Sequence, residues 1–127
     1  MERDPMIVAG FGFRKDASVG SLTDAFERAC VDVMPECIAA PDDKAITEVF
    51  RLFSEEIGVP VRSIPADVLE QQSTVTQSLK SIVERNIGSV AEAAALAAAG
   101  PGAQLMTARH ISADKLATCA LAVKEKT

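Results

Sequence analysis

The chain has 127 residues, a net charge of −5, and only 4% aromatic residues, with neither Trp nor Tyr. This length predicts a single domain over residues 1–127, while the charge and the scarcity of rings exclude a typical binder of nucleic acids. Because no signal-peptide pattern or membrane-length apolar run occurs, and the three cysteines lack paired spacing, we expect a cytoplasmic protein with reduced thiols and no membrane partner.

The first predicted element is a buried strand that ends in a glycine turn, within the segment MIVAGFGFRKDAS at residues 6–18. Gly10 and Gly12 lack a Cβ, so a ligand or another backbone can approach closely. A tight turn with close helix packing explains both glycines equally well. Ser18 is a candidate N-cap for the following helix. The free N–H groups of this helix would face the same edge as Arg14 and Lys15, a pattern typical of anion binding.

Two helices and two more strands follow in alternation. Helical periodicity predicts a helix over Ser18–Val33 and a second over Asp43–Ile57, whose apolar stripe includes Ile46. Short strands are predicted at Cys37–Ala40 and Val61–Ile64. The order β-α-β-α-β predicts three parallel strands, and ligands bind beyond the carboxyl ends of such strands. Lys44 falls at that edge, either as a ligand contact or as a helical partner of Glu48.

The second half of the chain predicts further helices and a hairpin. Ala66–Glu70 is a helical turn, and Val75–Arg85 has the pattern of a longer helix. Ser89 and Glu92 have capping-box spacing at the start of an alanine-rich helix, VAEAAALAAAG, small enough to pack close to a neighbouring backbone. Two apolar strands, 103–111 and 116–124, then form a C-terminal antiparallel hairpin. The predicted fold is therefore α/β and three-layered, with a mixed, mostly parallel sheet of about five strands.

Common catalytic and cofactor motifs are poorly matched. Lys15 stands where a dinucleotide-binding turn needs its third glycine, and the lysine triplet of a P-loop is absent. His110 is the only histidine and no C-x-x-C occurs, so no metal site is predicted. With the nucleotide-binding motifs unmatched, we also expect no cofactor. The Glu92 carboxylate has two interpretations: it bonds its own backbone in the capping box, or it lines a pocket together with Ser89.

Three blocks resemble the CbiG/CobE family of cobalamin-biosynthesis proteins. GFGFRKDAS resembles the family's G-I-G-C-R-R-G-T-S opening, with Phe13 in place of its cysteine. The stretch from Lys44 to EEIGVP is similar to K-x-D-E…E-E-L-G-L-P, with Thr47 at the position of the first acidic residue. GSVAEAAAL, which begins at Gly88, is similar to G-x-x-V-A-E-A-A-A-L.

The resemblance implies a protein of the stand-alone CobE type, since we expect no second domain before this one. It implies binding of a corrin or precorrin intermediate as a carrier between enzymes of the pathway, which would be its protein partners. The alternatives are hydrolysis of the precorrin-5A lactone with release of acetaldehyde, with Glu92 or Lys44 as catalytic candidates, and a purely structural interaction module. The ligand-binding residues that we expect are Gly10, Gly12, Phe13, Arg14, Lys15, Ser18, Lys44, Gly88, Ser89 and Glu92.

Overall fold

A computed structural model describes residues 5–74, 76–77, 82 and 89–125. Its centre is a five-stranded sheet in the order β3-β2-β1-β5-β4. The strands are β1 (Pro5–Phe13), β2 (Cys37–Pro41), β3 (Val61–Ile64), β4 (Gln104–Ile111) and β5 (Ala117–Glu125). The helices are α1 (Val19–Ala29), α2 (Asp42–Ala45), α3 (Glu48–Ile57), α4 (Ala66–Glu70) and α5 (Val90–Ala99).

The sheet is mixed, as predicted. β1 pairs in parallel with β2, and β2 pairs in parallel with β3, while β5 runs antiparallel to both β1 and β4. The β4-β5 hairpin therefore attaches to the parallel half through β1, and the turn of the hairpin lies at the edge where the parallel strands end.

Alternating side chains of β1 serve two separate cores. Val8 packs on one face of the sheet with the alanines of α5 and with Leu69 of α4. Ala9 and Phe11 pack on the other face with residues of α1 and α3. Because helices cover both faces, the domain has the three predicted layers.

The helix predicted over Asp43–Ile57 is divided in two, and this part of the prediction was wrong. Thr47 interrupts it because its hydroxyl donates to the Lys44 carbonyl at 2.7 Å and accepts from the Phe50 amide at 3.4 Å, so Thr47 becomes the N-cap of α3. Ile46 falls in the break and is 83% exposed, so it does not belong to the apolar stripe. Gly58 ends α3 in the left-handed conformation (φ 81°), which glycine adopts without strain.

Other boundaries differ by a few residues. α1 ends at Ala29, before the predicted end at Val33, and its N-cap is Ser18 as predicted. The predicted helix over Val75–Arg85 lies largely outside the described residues. None of the helices in the described part combines the length and apolar character that a membrane crossing needs.

Candidate functional site

A cavity of about 860 Å³ lies at the edge of the sheet where β1 and β4 end. Its wall combines the residues after β1, parts of α1 and α2, the start of α5, and the turn of the hairpin. The lining residues are Gly12, Phe13, Arg14, Lys15, Asp16, Arg28, Asp43, Lys44, Val90, Arg109, Ile111, Ser112, Ala113, Lys115, Leu116, Ala117 and Thr118.

The lining is strongly basic in a protein of net charge −5. Six of its side chains are cationic and two are carboxylates. Three of the cations, Arg14, Lys15 and Lys44, were predicted at this edge from the parallel topology. The cavity therefore presents an excess of positive charge and is suited to a ligand with several negative groups.

Phe13 and Lys44 are held together at the cavity wall. The Lys44 Nζ lies 5.1 Å from the centroid of the Phe13 ring, a cation–π distance. On its inner side this ring stacks on Phe50, with centroids 5.7 Å apart and planes 9° apart. Since Phe50 is fully buried, the arrangement connects the ammonium group at the cavity to the core of the domain.

The hairpin turn, which carries Lys115, is tied to α1 by two carboxylates. Asp24 accepts the Ala113 amide at 2.6 Å, and Asp114 accepts the hydroxyl of Ser21 at 2.5 Å. The hydrogen bond from Ala113, followed by that from Arg28, holds the pKa of Asp24 below its usual value. Hydrogen bonds from Ser112 and then Ser21 lower the pKa of Asp114. These contacts fix one side of the cavity to the helix opposite.

The predicted glycines have different roles. Gly10 lies beneath α5, where an added Cβ would come within 2.2 Å of the Ala91 oxygen, so helix packing fills the space that a ligand was expected to use. Gly12 does line the cavity, beside Val90 and Thr118. Gly88 lies outside the described residues.

The two serine caps do not line the cavity. Ser18 uses its hydroxyl to accept the Ser21 amide at 3.1 Å, in a reciprocal capping arrangement with the Ser21 side chain. Ser89 is 1% exposed and accepts the Glu92 amide at 3.3 Å. Both residues therefore support the helices that form the wall, and this geometry does not favour the direct ligand contacts that were expected of them.

Glu92 is fully buried and also lies outside the lining. Its carboxylate accepts the Thr76 amide at 2.9 Å, the Thr76 hydroxyl at 2.5 Å and the Arg109 amide at 3.0 Å. Neither interpretation from the sequence included these bonds. They connect α5 to the segment at Thr76 and to β4 at Arg109. Of the two catalytic candidates, Lys44 alone reaches the cavity.

Three cations of the lining were missed in the sequence, namely Arg28, Arg109 and Lys115. Arg28 lies on the exposed side of α1, where it forms a 3.0 Å ion pair with Asp24, and nothing in the local sequence connects it to the edge of the sheet. The other two could have been found by pairing the hairpin with β1, because an antiparallel β5 brings the turn to the edge that carries Arg14. In the described part, no group of three or more His, Cys, Asp or Glu side chains could hold a metal ion.

The fold and cavity define an α/β domain with a basic pocket at the carboxyl ends of its parallel strands. Residues 7–122 match the family described as the cobalamin synthesis G C-terminus, and the chain belongs to this family. It is therefore a protein of cobalamin biosynthesis.

Solved structures agree with this assignment. CobE, a protein from the cobalamin (vitamin B12) biosynthetic pathway, is 27% identical with a TM-score of 0.81, over 97% of this chain and 94% of that one. The cobalamin biosynthesis protein chiG from Agrobacterium tumefaciens str. C58 is 30% identical with a TM-score of 0.69, over 92% and 97%. A cobalamin biosynthesis protein G homologue from Sulfolobus solfataricus shares the fold (22% identity, TM-score 0.67), over 93% of this chain and 36% of that one. No curated protein matched in a comparison of sequences.

Proposed function

We propose that this protein binds a corrin or precorrin intermediate through the carboxylates of the ligand and passes it between enzymes of the pathway. The supporting observation is the basic cavity of about 860 Å³, with six cationic side chains against two carboxylates. Acetate and propionate groups surround the corrin ring and its precursors, so a site for such a ligand needs several cations around one volume.

The cations come from different elements, which suits a ligand with charges distributed around a ring. Arg14 and Lys15 follow β1, Lys44 belongs to α2, and Arg109 and Lys115 belong to the hairpin. Charge-assisted hydrogen bonds from such side chains are the strong type of contact to carboxylates. The half-buried Phe13 ring, which stacks on Phe50 and lies under the Lys44 ammonium, adds apolar surface to the wall beside these cations.

Binding is tested by titration with cobyrinic acid, a corrin whose peripheral groups are free carboxylates, followed by visible absorbance and co-elution. Dicyanocobinamide, in which these groups are amides and which lacks the bulky nucleotide of cyanocobalamin, is the matched probe without peripheral carboxylates. We expect a complex with cobyrinic acid and at least tenfold weaker binding of dicyanocobinamide, since roughly 1.4 kcal/mol corresponds to tenfold in affinity. Equal binding of both probes would contradict recognition through carboxylates.

Variants locate the site. We expect Arg14→Ala and Lys44→Ala each to weaken binding of cobyrinic acid by about 1–3 kcal/mol, because each removes charge-assisted bonds. Arg51→Ala is the matched control, since Arg51 lies on α3, pairs with Glu48 and Glu55, and does not line the cavity. Unchanged affinity in both cavity variants would place the ligand elsewhere.

Hydrolysis of a precorrin-5A lactone is a second candidate function, favoured by the position of Lys44 at the cavity and above an aromatic ring. Incubation with the lactone, followed by an assay for acetaldehyde, separates it from simple binding. Turnover that disappears in Lys44→Ala would support an enzyme. Binding without turnover supports the carrier, and no binding at all supports a structural module.

A further inference from the structure

The buried carboxylate of Glu92 is joined to the cavity wall through the backbone of β4. One of its oxygens accepts the Thr76 amide, and the other accepts both the Thr76 hydroxyl and the Arg109 amide, the latter at 3.0 Å. The Ser89 hydroxyl accepts the amide of Glu92 itself, which anchors this residue in the first turn of α5. Glu92 thus connects α5 and the Thr76 segment to the residue of β4 that carries a cavity cation.

The pairing of β4 with β5 is irregular at this point. Thr107 is opposite Leu121, but His110 is opposite Cys119, so β4 contains one extra residue between these pairs. Such a bulge turns side chains away from their regular direction. Here the Thr107 hydroxyl accepts the Leu121 amide at 3.3 Å, and the Arg109 amide donates to Glu92. The Arg109 side chain lies in the cavity lining.

We propose that Glu92 is a positioning residue that holds the β4 bulge and thereby directs Arg109 into the cavity. The inference rests on the proposed binding of a polycarboxylate ligand. It assigns to Glu92 an indirect contribution to ligand affinity through Arg109, without contact between Glu92 and the ligand.

Glu92→Met tests this inference because two explanations predict opposite signs. The substitution removes a negative group near a basic cavity, and charge alone would make a polyanion bind more tightly. Methionine is similar in length but has no oxygen to accept the Arg109 amide, so loss of positioning would instead weaken binding of cobyrinic acid, by about three- to tenfold for one charge-assisted contact. Thr76→Val is the matched control, since it removes a different bond to the same carboxylate and should bind like wild type.

A double variant decides whether the effect passes through Arg109. We expect Arg109→Ala to weaken binding, and Glu92→Met to cause no further loss in the Arg109→Ala background. Glu92→Asp keeps the charge but shortens the side chain, so it should show the same weakening and serves if Glu92→Met does not fold.

Three results would overturn the inference. These are wild-type or tighter binding in a folded Glu92→Met or Glu92→Asp variant, additive losses in the double variant, and weakened binding in Thr76→Val equal to that in Glu92→Met. A wild-type protein that binds no cobyrinic acid would instead refute the proposed function, and the positioning role with it.

Discussion

Gly10→Ala should destabilise the protein, because β1 and α5 touch through their backbones at this residue. An added Cβ would lie 2.2 Å from the Ala91 oxygen, 2.3 Å from the Ala95 nitrogen and 2.9 Å from the Ala95 Cα. These are backbone atoms, so no rotamer change relieves the contact, and α5 must move by about 1 Å to approach a normal separation.

The expected cost is about 3 kcal/mol, the upper part of the range for over-packed cores. For a domain of this size, a loss of that magnitude lowers the melting temperature by about 10 °C. Thermal unfolding followed by circular dichroism measures this change.

Gly20→Ala is the matched control. Gly20 is an exposed residue in α1, and its added Cβ would meet only the Ser18 hydroxyl, at 3.5 Å. In a helix, alanine is preferred over glycine by up to about 1 kcal/mol, so this variant should be equally or more stable than wild type. If Gly10→Ala melted at or above the wild-type temperature, the close contact of α5 with β1 would be refuted.

Three further predictions concern stability. The lowered pKa values of Asp24 and Asp114 mean that their ionised forms stabilise the fold above the pKa of the unfolded chain, and that this stability is lost as the pH falls below about 4. Asp114→Asn should therefore reduce the drop in melting temperature between about pH 5 and about pH 3, and an unchanged drop would contradict this. In urea unfolding, Ile46→Ala should lower the free energy of unfolding by less than about 0.5 kcal/mol, while Phe53→Ala, at a fully buried ring, should lower it by about 3–5 kcal/mol. Equal losses in the two variants would mean that Ile46 is buried, as a continuous helix predicts. Ser89→Ala should cost about 1 kcal/mol through loss of a helix cap, also measured in urea, and a neutral result would mean that the 3.3 Å bond is not needed.

The parallel half of the fold was predictable because local signals and topology agreed there. Apolar runs indicated the strands, Ser18 marked the start of α1, and right-handed crossovers then placed Arg14 and Lys44 at one edge. The division at Thr47 was missed because the apolar spacing continues across it, although threonine is a common N-cap and its hydroxyl here bonds both the Lys44 carbonyl and the Phe50 amide.

The remaining part of the site depends on long-range pairing. The register of β4 against β5 determines whether the Arg109 side chain faces the cavity. One extra residue in β4, between Thr107 and His110, changes this register. The partners of Glu92 lie 16 and 17 residues away in the chain, and no local spacing rule connects them. Capping-box spacing correctly gave the start of α5 and the Ser89 bond, but it could not reveal that the carboxylate also holds a distant strand.

The bulge in β4 also affects how copies of this protein meet one another. β3 and β4 form the two edges of the sheet, where unpaired backbone groups could recruit a strand from another molecule. β3 has only four residues. One of them, Arg62, carries a charge at this edge, and its guanidinium donates to the Ala98 carbonyl of α5 at 2.9 Å. β4 is longer, but its register shifts interrupt the regular row of donors and acceptors that an incoming strand requires. The irregularity at Arg109 thus also makes β4 a poor template for edge-to-edge pairing.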